Sequence, residues 1–286
     1  MHDPERDKLY HDLLIKSYCL ADQVYLLLRE DYANQLYFNG RKQDRNNSQA
    51  CSLQALLATL ESFPDSLSLY ALLHDEQKLQ QDLEKHETAV GELFRTTWVN
   101  SRWTNAERDV AYKYLSSELI TANDLSLFVS AVTMSLMACF DEAKMLWLIE
   151  AFYHKDNMVK VRAQVGFVMV SHLHEKRIGL YSGILARIGL IQDEQPSFAD
   201  DINTIYLQLI RSQDTERINK TMQEEIVPTV MKNIQSRKQK PLDEGDELDM
   251  NPEWLFDLGP KLTTRCGRLA SCNWREAMLI WACFRC

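Results

Sequence analysis

The run LSLFVSAVTMSLMACF, Leu125–Phe140, decides the fold class. Leu125, Phe128, Val129, Val132, Leu136 and Phe140 recur at intervals of three and four, the spacing of one helical face. Serine and threonine interrupt the run, so it is a core helix and too broken to span a bilayer. Asn123 or Asp124 is the expected N-cap.

The same period continues downstream. Asp141 opens a shorter helix bearing Met145, Leu148, Ile149 and Phe152. After the polar turn His154-Lys155-Asp156-Asn157, Val159, Ala163, Gly166, Val170 and Leu173 share a face. A further helix, 176–191, places Tyr181, Ile184, Leu185 and Ile188 together. Gly166 costs its helix about 1 kcal/mol relative to alanine, which predicts a close helix–helix approach there. Connections this short make neighbouring helices stack antiparallel. Pro196 is expected at the first turn of the next helix, and Pro228 is expected to kink the one after it.

Upstream, a first helix over 7–38 has Tyr10, Leu14, Ser17, Ala21, Val24 and Leu28 in a stripe, with Asn39-Gly40 as its stop. Residues 41–49 are polar and read as a loop. A second helix, 49–62, carries Leu53, Leu56, Leu57 and Leu60, and Pro64-Asp65-Ser66 reads as a turn into a short helix ending near His74. Residues 75–100 form a long polar helix with a thin stripe, Leu79, Leu83, Val90 and Phe94, of the kind that bridges packed units. Trp98 and Trp103 read as packing residues, and Asn105 as the cap of a helix reaching about Leu119.

Composition agrees with an all-α chain. Only 9 glycines and 7 prolines occur in 286 residues, too few for turn-rich sheets. The formal charge of −9 disfavours nucleic acid as a partner. No apolar leader follows Met1 and no long apolar run occurs, so neither export nor a membrane span is expected. Seven cysteines without a secretion signal imply reduced thiols in the cytoplasm.

The segment from Leu148 to Asn157, with Val159, Val161, Arg162, Ala163, Val165 and Gly166, resembles a HEAT-type repeat. That resemblance implies that Asp156 and Arg162 tie adjacent turns together. Thr215-Glu216-Arg217-Ile218, Glu224-Glu225-Ile226-Val227-Pro228 and Asn251-Pro252-Glu253-Trp254 make most of residues 5–254 resemble helical-repeat proteins of Bacteroidetes of the tetratricopeptide-like kind. It implies an α-solenoid and no activity. A strict tetratricopeptide signature is absent.

Four regions follow: 1–100, a helical region with the long bridging helix; 101–235, HEAT-like repeats; 236–252, a charged linker; and 253–286, an atypical tail. The tail holds Cys266, Cys272, Cys283 and Cys286 in the spacing C-x5-C-x10-C-x2-C. One C-x2-C half-site suits zinc, but its partner half is atypical, so the thiols read as adventitious. A back-translation of Leu269–Cys286 in a shifted frame yields a helical segment, and the tail is expected to be a frameshifted or truncated reading.

No catalytic, cofactor-binding or metal residue is assigned. His172 and His174 point to different faces and make a poor metal pair. His11, His74, His86 and His154 read as solvated. Gly179 to Gly183 lacks the nucleophile-elbow spacing, and Asp200-Asp201 and Glu224-Glu225 read as solvated helix faces. Arg237-Lys238-Gln239-Lys240 reads as a flexible surface stretch. The expected function is a noncatalytic scaffold for an unknown protein partner, with an uncapped C-terminal end that favours self-association. The alternative is the regulatory or N-terminal part of a larger enzyme.

Overall fold

The structure, a computed structural model, describes residues 4–32, 36–47, 52–226 and 228. The charged linker, the tail with its four cysteines and the basic run 237–240 lie outside the described residues. Among the described residues every regular element is helical: α1 (Pro4–Tyr32), α2 (Leu36–Asn47), α3 (Leu53–Leu73), α4 (Glu76–Val99), α5 (Asn105–Ser116), α6 (Ala122–Ala138), α7 (Glu142–Glu150), α8 (Asn157–Leu173), α9 (Glu175–Ile178), α10 (Ser182–Glu194) and α11 (Phe198–Thr221). The chain divides into two packed units between Ile205 and Tyr206, within α11.

In the first unit the helices form two rows. α4, α6 and α8 pack side by side, and α3, α5, α7 and α10 form the other row. α3 packs on α4, and α7 on both α6 and α8. The stripe of Leu125, Phe128, Val129, Val132, Leu136 and Phe140 is wholly buried. Met145, Leu148, Ile149 and Phe152 face the same core. Trp103 and Trp147 meet edge to face at 5.8 Å, and Phe128 lies 4.9 Å from Trp147. The polar ends of buried aromatic side chains find carbonyl partners, as desolvated donors must. Trp147 Nε1 donates to Ala111 O (2.8 Å), and the Tyr114 hydroxyl to Leu53 O (2.9 Å).

Gly166 makes the close approach expected of it. A Cβ built there would lie 3.1 Å from Thr133 Cγ2 on α6, and closer still to Thr133 Oγ1. Leu173 and Leu185, placed on inner faces by periodicity, are exposed. The helix expected over 176–191 is two, α9 and α10, with Tyr181 at the break.

Caps lie slightly N-terminal of the expected residues. Thr104 caps α5 in a reciprocal box with Glu107, and Thr121 caps α6. Asp124 is instead held by the Thr121 hydroxyl and by His86. Asp141 caps α7 as expected, and Asp156, in the polar turn, caps α8. Pro196 sits in the turn before α11 rather than in its first turn. Past Thr221 the chain enters a π-helical turn, Met222–Ile226, just before Pro228. Proline clashes with the carbonyl four residues back, here that of Glu224.

The N-terminal third departs furthest from expectation. Pro64 lies inside a continuous α3, which ends at His74 in the left-handed conformation (φ 52°). Asn39-Gly40 does not stop a helix, and the polar run after it belongs to α2. Buried ion pairing accounts for this: Arg41 on α2 is 1% exposed and bonds Glu30 of α1 at 3.1 Å. On α1, Tyr10, Ser17, Ala21, Val24 and Leu28 face solvent. Its inward face carries Leu26 together with Tyr18, Asp22 and Glu30, and the two carboxylates are paired.

Candidate functional site

The inner face of α1 and the start of α2 meet α6 over an apolar groove. Tyr25, Leu26, Tyr37, Phe38, Met134, Met137 and Ala138 line a cavity of about 370 Å³, within the range of small binding pockets. Leu26 and Phe38 are the buried members of its lining and belong to one core cluster with Cys139. Tyr37 and Phe38 meet edge to face at 5.0 Å, and Tyr25 and Phe38 at 6.4 Å. The Tyr37 hydroxyl accepts a hydrogen bond from Trp98 Nε1 at 3.3 Å, which holds the rim. Arg29 stands over both rings, 5.2 Å from the centre of Tyr25 and 5.8 Å from that of Phe38. Tyr25, Tyr37 and Met137 remain exposed. Two thioethers on an aromatic floor make an adaptable apolar surface.

The groove is framed by two buried polar arrangements. The first is the C-terminal end of α4, whose last carbonyls lack helical partners. Arg41 donates to Val99 O at 3.0 Å and also to Trp98 O. Lys144, fully buried, donates to Asn100 O and to Ser135 Oγ (2.8 Å). Two cations thus meet the negative end of the α4 dipole. Burial pulls the Lys144 ammonium down to about 8, with Asp141 opposing that shift.

The second arrangement joins α1 to α9. Arg177 donates to Asp22 at 2.7 Å, and Asp22 also accepts the Phe140 backbone N–H at 3.1 Å. The Arg177 Nε and Nη2 bond His174 Nδ1, at 3.1 and 2.6 Å. Arginine only donates, so Nδ1 accepts, and the proton is on Nε2. That nitrogen therefore donates to Leu136 O at 2.7 Å. Desolvation holds His174 below the usual histidine range, and neighbouring Arg177 adds to the effect. Burial pushes the adjoining Cys139 thiol up. These groups brace helices and are largely withdrawn from solvent.

The histidines separate as their spacing suggests, His174 buried and His172 exposed. His86 is not solvated: it stacks on Phe63 at 4.0 Å and bonds Asp124 at 3.1 Å. Of the two residues to which the HEAT resemblance assigns the tying of adjacent turns, Asp156 accepts from Met158 N at the start of α8, and Arg162 donates to Ser130 Oγ on α6. Asp200 and Asp201 lie in the first turn of α11, where the dipole favours acids. Among the described residues no three His, Cys, Asp or Glu side chains are placed to share a metal ion. Among them, too, no helix is long and apolar enough to cross a membrane.

Neither the groove nor its frame is assigned by the sequence reading. The one signal for the groove was a pair of methionines, Met134 and Met137, off the inner stripe of α6. No protein-family model matches the chain, and no curated protein or solved structure matches it significantly.

Proposed function

We propose that the chain is a noncatalytic α-solenoid, built of HEAT- and tetratricopeptide-like helix pairs, that binds a helical segment of another protein. The two-row packing of alternate helices supports the solenoid reading. The observation that carries the binding role is the groove between α1, α2 and α6, open and apolar, with Met134 and Met137 beside Tyr25 and Tyr37. Such a surface suits the apolar face of an amphipathic helix, whose side chains at i, i+3 and i+4 insert together. Arg29 at the rim suits an acidic residue on that helix. The free thiols of Cys19 and Cys139 suit a reducing compartment, and we read the protein as cytoplasmic.

A displayed library of amphipathic helical peptides, selected on the full chain, tests this reading. Peptides that bind the chain and lose at least tenfold in affinity to Met137→Glu support it. No enriched peptide, or enriched peptides indifferent to Met137→Glu, would sink it.

A further inference from the structure

α1 carries an apolar face opposite the mixed, ion-paired face that it buries. Tyr10, Leu13, Ser17, Leu20, Val24 and Leu27 alternate in steps of three and four through its length. That is a heptad seam with leucine at every d position and tyrosine, serine and valine at a. Its apolar members are between 46% and 64% exposed. The inward groups Tyr18, Asp22 and Leu26 lie on the other side of the helix.

We infer that this seam is the interface of a homodimer, in which α1 of one copy packs along α1 of a second. Leucine at every d, with the β-branched Val24 at one of the three a positions, favours two strands over higher assemblies. A two-fold interface needs one patch that complements itself, and a heptad seam is self-complementary. None of its six side chains is ionised, so the net charge of −9 is not brought into the contact. Within the seam the Ser17 hydroxyl donates to Leu13 O at 2.8 Å, so covering Ser17 leaves that donor with its partner.

The open area lies just below that of a standard interface and suits a dimer that dissociates on dilution. With Leu9 and Leu28 beside it, the seam leaves about 700 Å² of side chain open, against about 800 Å² given up by each partner in a standard interface. Fewer than three heptads are marginal for an isolated helix. Here the helix is already formed and pinned to the body by Asp22 and Glu30, so association does not have to order it.

Sedimentation velocity of the full chain from about 1 to 100 μM reads the outcome directly. The expected species is a dimer of twice 33.3 kDa that dissociates on dilution. Leu20→Lys with Val24→Lys changes only exposed positions, and is expected to be monomeric throughout with an unchanged circular dichroism spectrum. The milder Leu20→Asn is expected to raise the dissociation constant at least tenfold. Leu72→Lys, on an exposed apolar patch of α3, is expected to leave the dimer intact. A photo-crosslinking amino acid in place of Val24 is expected to join α1 to α1 of a second copy. A wild-type monomer over the whole range, a dimer that survives both α1 variants, a dimer lost in Leu72→Lys alone, or crosslinks confined to another segment of the same chain would each overturn the inference. The last result would mean that the chain covers its own seam.

Discussion

Asp22 and Arg177 lie 155 positions apart in the chain and are joined at 2.7 Å. The contact ties the first helix to the turn between α8 and α10. It also anchors the backbone N–H of Phe140, where α6 ends. Both side chains are largely withdrawn from water, at 16% and 10% exposure. Breaking such a pair leaves a desolvated guanidinium without its carboxylate.

Asp22→Ala is therefore expected to cost about 3 kcal/mol of folding stability. Asp22→Asn keeps an oxygen for Phe140 N but loses the charge, and should fall between wild type and alanine. Urea unfolding followed by tryptophan fluorescence checks both. Equal midpoints for all three chains would show that the contact contributes nothing.

His174 predicts a pH dependence of definite sign. Desolvation above all holds its folded-state pKa below the ordinary histidine value of about 6.5. The native protein therefore binds fewer protons than the unfolded chain between the folded pKa and about 6.5. Stability should be full above pH 7 and fall as pH drops through that window, by at most about 1.4 kcal/mol per pH unit from this one group. His174→Gln retains an acceptor for Arg177 and a donor for Leu136 O but cannot titrate. Its stability, measured across pH 5–7.5, should have the shallower slope. Parallel slopes would remove His174 from the account.

Gly166 gives a test of packing. Helix propensity alone favours alanine by about 1 kcal/mol. Against that stands Thr133, whose Cβ would be 3.2 Å from the new methyl. Overpacking of a rigid core costs about 1–3 kcal/mol, so Gly166→Ala should be destabilising by about 1 kcal/mol net. Thr133→Ala removes both offending atoms beyond Cβ, and the double variant should recover most of the loss. Thermal melts of the single and double variants form the cycle. A stabilising Gly166→Ala would mean that α6 and α8 can part without cost.

The contrast between α6 and α1 explains what was legible in the sequence. On α6 the buried face is apolar, so periodicity finds it, and the stripe from Leu125 to Phe140 is correct at every position. On α1 the apolar stripe is real but faces outward. The buried face holds Asp22 and Glu30, which no hydropathy pattern would place inside. Their partners, Arg177 on α9 and Arg41 on α2, come from other helices, and pairing between helices leaves no trace in the periodicity of either. The same reason hid α2, whose polar run Arg41–Asn47 is helical because Arg41 is buried. The groove was equally illegible, since its walls come from α1, α2 and α6 and only folding brings them together.

The end of α4 has a consequence for the order of assembly. Trp98 O and Val99 O are served by Arg41, made before the helix, and the carbonyl of the capping residue Asn100 by Lys144, made well after it. A nascent chain that has reached Asn100 holds only one of these cations. The cap of α4 therefore stays wet until α7 has left the ribosome, and its completion couples an early helix to a later one.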